Sequence, residues 1–308
     1  MRPHWAERLP PSRTGNVRCT PAGEEALVGV ATVEFRGDGD LTLVADEWNR
    51  DVADPERPTI LMLHGGGQNR LSWKRTGQVL ADRGLHVIAL DARGHGDSDR
   101  APNAEYTLDA LVRDAAAVVD QIGRPVALIG ASMGGMTGIL LANQLGPQQV
   151  SKLVLVDVVP RFEQEGTSRI VDFMSRHVHG FATLDDAADA IAAYLPHRRR
   201  PRRLDGLTKN LRHRDGRWHW HWDPAFVTSP SGESFAEVDV LERAAIGLEI
   251  PILLIRGKLS DVVSEEGVAD FLAKVPRAEF VELSGAGHTA AGDDNDAFTD
   301  AVVGFVTA

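Results

Sequence analysis

The sequence predicts an α/β protein: a doubly wound, mostly parallel sheet with a helical cap inserted past its middle. Three observations carry that reading. Short apolar runs alternate with longer stretches of helical period; a serine flanked by glycines stands where one such run meets a helical stretch; and the alternation stops between about residues 160 and 248, then resumes. Strands covered on both faces read as continuous apolar runs, whereas the helices covering them place apolar residues three and four apart.

Residues 1–24 hold several prolines and no period, and predict an N-terminal extension without a catalytic role. Leu27 to Phe35 and Leu41 to Glu47 flank Gly37-Asp38-Gly39, a hairpin signal that puts an antiparallel edge first. Buried strands are then expected at Thr59 to Leu63, His86 to Leu90, Val126 to Ile129, Leu153 to Val156, Ile252 to Ile255 and Glu279 to Leu283. Helices are expected at Leu71 to Arg83, Leu108 to Ile122, Met133 to Leu145, Glu265 to Lys274 and Asp296 to Val306. The core accordingly comprises residues 25–159 and 249–308, and the mostly helical cap residues 160–248.

With 43% hydrophobic and 25% charged residues, the 308-residue chain has the composition of a soluble globular protein. A formal net charge of -11 argues against nucleic acid as a partner, because phosphate binding draws on Lys and Arg. Cys19 is the single cysteine, which excludes a disulfide framework and a thiolate metal cage and suits a reducing compartment. The first twenty residues lack the apolar core of a signal peptide, and no segment is apolar for long enough to span a bilayer. The expectation is a cytoplasmic protein with a small apolar or ester molecule as its partner and no membrane association.

The strongest chemical signal is Gly130-Ala131-Ser132-Met133-Gly134-Gly135, directly after an apolar run and directly before a helical pattern. This is a G-x-S-x-G elbow in its required strand-to-helix context, with Ser132 as nucleophile. A serine hydroxyl needs a base to take its proton and a third group to orient that base. His288 follows the last strand through Ser284-Gly285-Ala286-Gly287, and Asp261 follows Ile252 to Ile255 through a short loop, so the expected triad is Ser132, Asp261 and His288. Asp157, at the end of Leu153 to Val156, is the rival acid. His64-Gly65-Gly66-Gly67 supplies backbone amides that can approach a ligand closely, and the oxyanion hole is expected from the N–H groups of Gly66 and Met133.

In the cap, Arg217-Trp218-His219-Trp220-His221-Trp222-Asp223 alternates aromatic and imidazole, so in an extended chain the three indoles share one face. Trp218, Trp220 and Trp222 are expected either to wall the substrate or to anchor the cap. No acidic cluster accompanies the histidines and a zinc site needs three or four converging ligands, so no metal is expected, and acyl transfer on a serine triad requires no cofactor. The basic run His197 to Arg203 reads as a solvated face or as an attractor of anions.

Taken together, His64-Gly65-Gly66, Asp91-Ala92-Arg93-Gly94-His95-Gly96-Asp97-Ser98, the elbow, Asp261 and Gly287-His288 resemble the α/β-hydrolase superfamily over roughly residues 25–306. The likeness is to the serine-nucleophile branch near cofactor-free haloperoxidases, carboxylesterases, C-C hydrolases and epoxide-hydrolase-like proteins. It implies that Asp91, Arg93 and His95 tie loops together rather than react. Epoxide hydrolases carry an elbow aspartate and cap tyrosines, whereas this chain has Ser132, and Tyr194 as the only cap tyrosine. The expected function is hydrolysis of a small or medium carboxylic ester, lactone or related acyl substrate through an acyl-enzyme. Perhydrolysis or C-C cleavage by the same triad is one alternative, and a ligand-binding receptor on a hydrolase scaffold is another.

Overall fold

The computed structural model describes residues 29–51, 53–195, 200, 203–229, 238–288 and 296–308. The expected N-terminal extension with Cys19, and most of the basic run His197 to Arg203, lie outside these residues.

The chain opens with β1 (Val30–Arg36) and β2 (Thr42–Trp48), an antiparallel pair joined by a tight turn in which Gly39 takes φ 72°. It continues through β3 (Thr59–Leu63), α1 (Lys74–Ala81), β4 (Val87–Leu90), α2 (Leu108–Ile122), β5 (Val126–Ala131), α3 (Met133–Leu145) and β6 (Val150–Val156). The eight-stranded sheet has the order β1-β2-β4-β3-β5-β6-β9-β10, where β9 is Ile252–Gly257 and β10 is Ala278–Leu283. Every pairing from β4 to β10 is parallel. Strand and helix positions agree with the expected ones to within a few residues, the largest difference being a 3-10 turn (Arg70–Trp73) that precedes α1.

Alternate residues of the strands feed two apolar layers. Leu61, Leu128, Leu153 and Leu254 pack under α2 and α3, while Ile60, Met62, Ile129 and Leu253 pack under α1 and α9 (Asp296–Thr307). Local chemistry bounds the helices: Thr107 caps α2, which ends at Gly123 with φ 71°, and Ser264 caps α8 (Glu265–Lys274).

The insertion after β6 holds α4 (Gln164–Arg176), α5 (Leu184–Tyr194), β7 (Leu211–Arg214), β8 (Arg217–Trp220), α6 (Ala225–Thr228) and α7 (Val238–Gly247). Two points differ from expectation. β7 and β8 form an antiparallel hairpin whose turn is Asp215-Gly216, both at positive φ, so the interval is not helical throughout. Helix α7, inside the interval expected to be cap, packs along α3, with Leu241, Ala244 and Ala245 in the core that also holds Ile139 and Leu141.

Candidate active site

β5 ends at Ala131 and α3 begins at Met133, which leaves Ser132 alone at the corner with φ 46° and ψ -114°. A side chain at positive φ is strained, and the surrounding backbone fixes it there. The Ser132 N–H donates to Val156 O at 3.1 Å, while its carbonyl accepts from the N–H groups of Gly135 (2.8 Å) and Met136 (3.0 Å). The elbow glycines are required sterically: a Cβ on Gly130 would meet the backbone of Gly134, and one on Gly134 the carbonyl oxygens of Leu63 and His64.

His288 Nε2 lies 3.1 Å from Ser132 Oγ, and its Nδ1 lies 2.6 Å from Asp157 Oδ2. Asp157, fully buried directly after β6, accepts from the Gly257 N–H at 2.9 Å through Oδ1 and from the Ser260 hydroxyl at 2.6 Å through Oδ2. Ser260 Oγ accepts in turn from the N–H groups of Val262 and Val263, both at 3.2 Å, which directs its own proton toward Asp157. These donors satisfy the oxygens of a carboxylate that has no access to water.

The expectation that Asp261 orients His288 is corrected here. Asp261 forms an ion pair with Arg169 of α4 at 2.8 Å, its side chain 38% exposed. The loop after β9 does reach the site, but through Ser260, and the carboxylate comes from β6. Burial and the charge of Asp261 push the Tyr194 hydroxyl up to about 12. Ser260 escaped the sequence reading because a serine beside an aspartate reads as loop chemistry.

The Gly65 N–H donates to Gln68 Oε1 at 3.0 Å, and the Gly67 N–H to His95 Nε2 at 3.1 Å. Between them the amide of Gly66, like that of Met133 at the start of α3, has no acceptor among the described residues. Apolar groups from the insertion cover this loop. The Phe226 ring lies 3.2 Å from where a Cβ on Gly66 would stand; Met174 Cε and Trp222 Nε1 lie 3.0 and 3.8 Å from the equivalent point on Gly67. Sequence reasoning missed Phe226 and Met174, since isolated apolar residues in helices read as core. Trp220 stacks on Trp222 at 6.3 Å, whereas Trp218 packs against His213 at 4.9 Å, and Trp222 is the indole that lies against Gly67.

Behind that loop stand three buried imidazoles. His64 donates from Nδ1 to Gly65 O at 2.8 Å and accepts from the Ala92 N–H at 3.0 Å. His95 donates to Arg93 O at 3.1 Å, and His221 accepts from the Gly96 N–H at 2.8 Å. Burial holds His64 down at about 4 and His95 at about 3, and keeps His221 well below its usual range. The unfolded chain therefore takes up these protons first as pH falls, so the stability these three groups contribute is full above about pH 6.5 and declines as pH falls toward 4 and below. Urea midpoints between pH 7 and 4.5 are expected to fall steeply in the wild type and less steeply in His95→Gln; parallel curves would contradict this role.

Ser132, Asp157 and His288 occur in that order along the chain, at the carboxyl ends of parallel strands, the arrangement that separates α/β hydrolases from other folds bearing the same residue types. The alpha/beta hydrolase fold family model matches residues 58–294, and the chain belongs to that family. Among similar proteins, the esterase Rv0045c of Mycobacterium tuberculosis is 29% identical over 80% of this chain and 82% of its own. The sn-1-specific diacylglycerol lipase ABHD11 of Mus musculus is 26% identical over 87% of each. The crystal structure of an alpha/beta hydrolase from Novosphingobium aromaticivorans superposes with a TM-score of 0.79 at 25% identity, over 92% of this chain and 99% of that one.

Proposed function

We propose that the protein is a serine hydrolase that cleaves a small or medium carboxylic ester or related acyl bond through an acyl-enzyme on Ser132. The observation that carries this reading is the unbroken hydrogen-bond line from Ser132 Oγ through His288 to Asp157. The esterase and lipase among its relatives support it.

In the reaction, His288 Nε2 takes the Ser132 proton as Oγ attacks the acyl carbon, and Asp157 stabilises the imidazolium and holds its Nδ1 proton. The amides of Gly66 and Met133 receive the oxyanion, and His288 then protonates the departing alcohol. A water molecule, deprotonated by the same nitrogen, releases the acid and restores Ser132. Ser260 acts as a positioning residue by keeping one carboxylate oxygen of Asp157 turned to the histidine. The apolar cover of Phe226, Met174 and Trp222 fits a short or medium acyl chain, and no step calls for a cofactor.

The reading is tested with a fluorophosphonate, followed by intact mass, together with 4-nitrophenyl acetate, butyrate and octanoate. One adduct on the wild type, none on Ser132→Ala, and turnover of the shorter esters are expected. An adduct that persists on Ser132→Ala, or no adduct and no turnover in the wild type, would overturn it.

A further inference from the structure

A cleft of about 480 Å³ opens on the insertion beside the β7–β8 hairpin, within the size range of small-molecule sites. Val178, Pro224 and the largely buried Trp220 and Trp222 supply its apolar lining, Arg100, Arg214 and Arg217 stand along it, and among the described residues Asp215 is the one lining carboxylate. All three arginines are exposed, and Arg217 donates to His179 O at 3.3 Å and Gly180 O at 3.2 Å. Three guanidinium groups against one carboxylate reverse locally the charge of a chain that is -11 overall. Guanidinium groups beside an apolar lining suit an oxyanion carried on an apolar body, because the fork pairs with the anion while Val178, Pro224 and the indole atoms at the lining meet the body.

We propose that this cleft is a subsite for an anionic group, carboxylate or phosphate, attached to an aromatic or aliphatic body. Its position links it to the hydrolytic reading on which the proposal builds. Trp222 lines the cleft and also lies against the glycine loop at Gly67, so an occupant bears on the wall of the reacting site. The anion preference would then select among acyl substrates by a feature remote from the bond that breaks.

The test measures binding of 6-phenylhexanoate, 5-phenylpentyl phosphate and the neutral 6-phenylhexan-1-ol to the full chain by calorimetry, in the wild type, Arg100→Gln, Arg214→Gln and Asp215→Asn, with 4-nitrophenyl butyrate turnover measured in parallel. At least one anion is expected to bind about tenfold more tightly than the alcohol, the contribution of a charge-assisted hydrogen bond to a partly exposed guanidinium. The arginine variants should lose most of that preference and Asp215→Asn should increase it, while turnover of the neutral ester stays at the wild-type value. Equal affinity for anions and alcohol, or arginine variants that bind the anions like the wild type, would overturn the subsite. If the wild type fails to turn over any ester while the anion pattern holds, the subsite stands and the hydrolytic reading falls.

Discussion

Asp157→Asn is expected to lower kcat/KM for a 4-nitrophenyl ester by about 10⁴-fold, while Asp261→Asn leaves it within about threefold. The contrast follows from what each carboxylate faces. Oδ1 of Asp157 must accept the Gly257 N–H, so an amide at this position would turn its NH₂ toward His288 Nδ1. The imidazole would then present a lone pair to residue 157 and a proton to Ser132, the tautomer that cannot accept the serine proton. Asp261 forms a half-exposed ion pair with Arg169, while His288 is bonded to Asp157 and Ser132. Steady-state kinetics of the two variants decide the matter, and a larger loss in Asp261→Asn would reverse the assignment.

Arg70→Met is expected to destabilise the fold by about 4 kcal/mol at pH 7, the cost of leaving buried carboxylates without their cation. Arg70 donates from Nε to Asp46 Oδ1 at 2.8 Å and from Nη1 to Asp97 Oδ2 at 2.8 Å, and the same Nη1 pairs with Asp91. Its backbone N–H also donates to Asp91 Oδ1 at 2.6 Å. Asp91 is fully buried, and burial pushes its carboxyl above the usual range even with Arg70 pulling the other way. Without the guanidinium, Asp91 is expected to take up a proton more readily, so the gap between variant and wild type should narrow from pH 7 to pH 5. Urea denaturation at the two pH values reads both effects, and a loss below about 1 kcal/mol would mean that the network is not a fold determinant.

The sheet and the elbow were legible because each is specified by neighbouring residues: continuous apolar runs for β3 to β6, and glycines that admit the turn at Ser132. The acid was not, because choosing between Asp157 and Asp261 depends on which strand end faces His288 in the folded chain, and the one that does lies 131 residues from it in sequence. Both aspartates follow a strand, and tertiary contacts separate them: His288 Nδ1 meets Asp157, whereas Asp261 pairs with Arg169 of α4. The hairpin had a usable signal in Asp215-Gly216 between alternating segments, one of the strongest short-range turn patterns. Reading Arg217 to Asp223 alone, for its aromatic alternation, hid the partner strand. Trp222 and Phe226 meet the glycine loop only through the tertiary path of the insertion, which no local period encodes.

Helix α4 rests on the same short loop that supplies Ser260. Gly166 packs so closely on the Asp261 carbonyl that a Cβ has no room, the Glu163 N–H donates to Val262 O at 2.8 Å, and Arg169 pairs with Asp261. The hairpin side of the insertion is tied elsewhere, through the Asp223 N–H to Gly94 O at 2.8 Å and the Tyr106 hydroxyl to Asp223 at 2.6 Å. The two halves of the roof therefore offer different handles for engineering substrate scope. Changes in the hairpin should alter which molecules are admitted while sparing the rate constant, whereas changes in α4 will be felt through Ser260 at Asp157 and trade selectivity against speed.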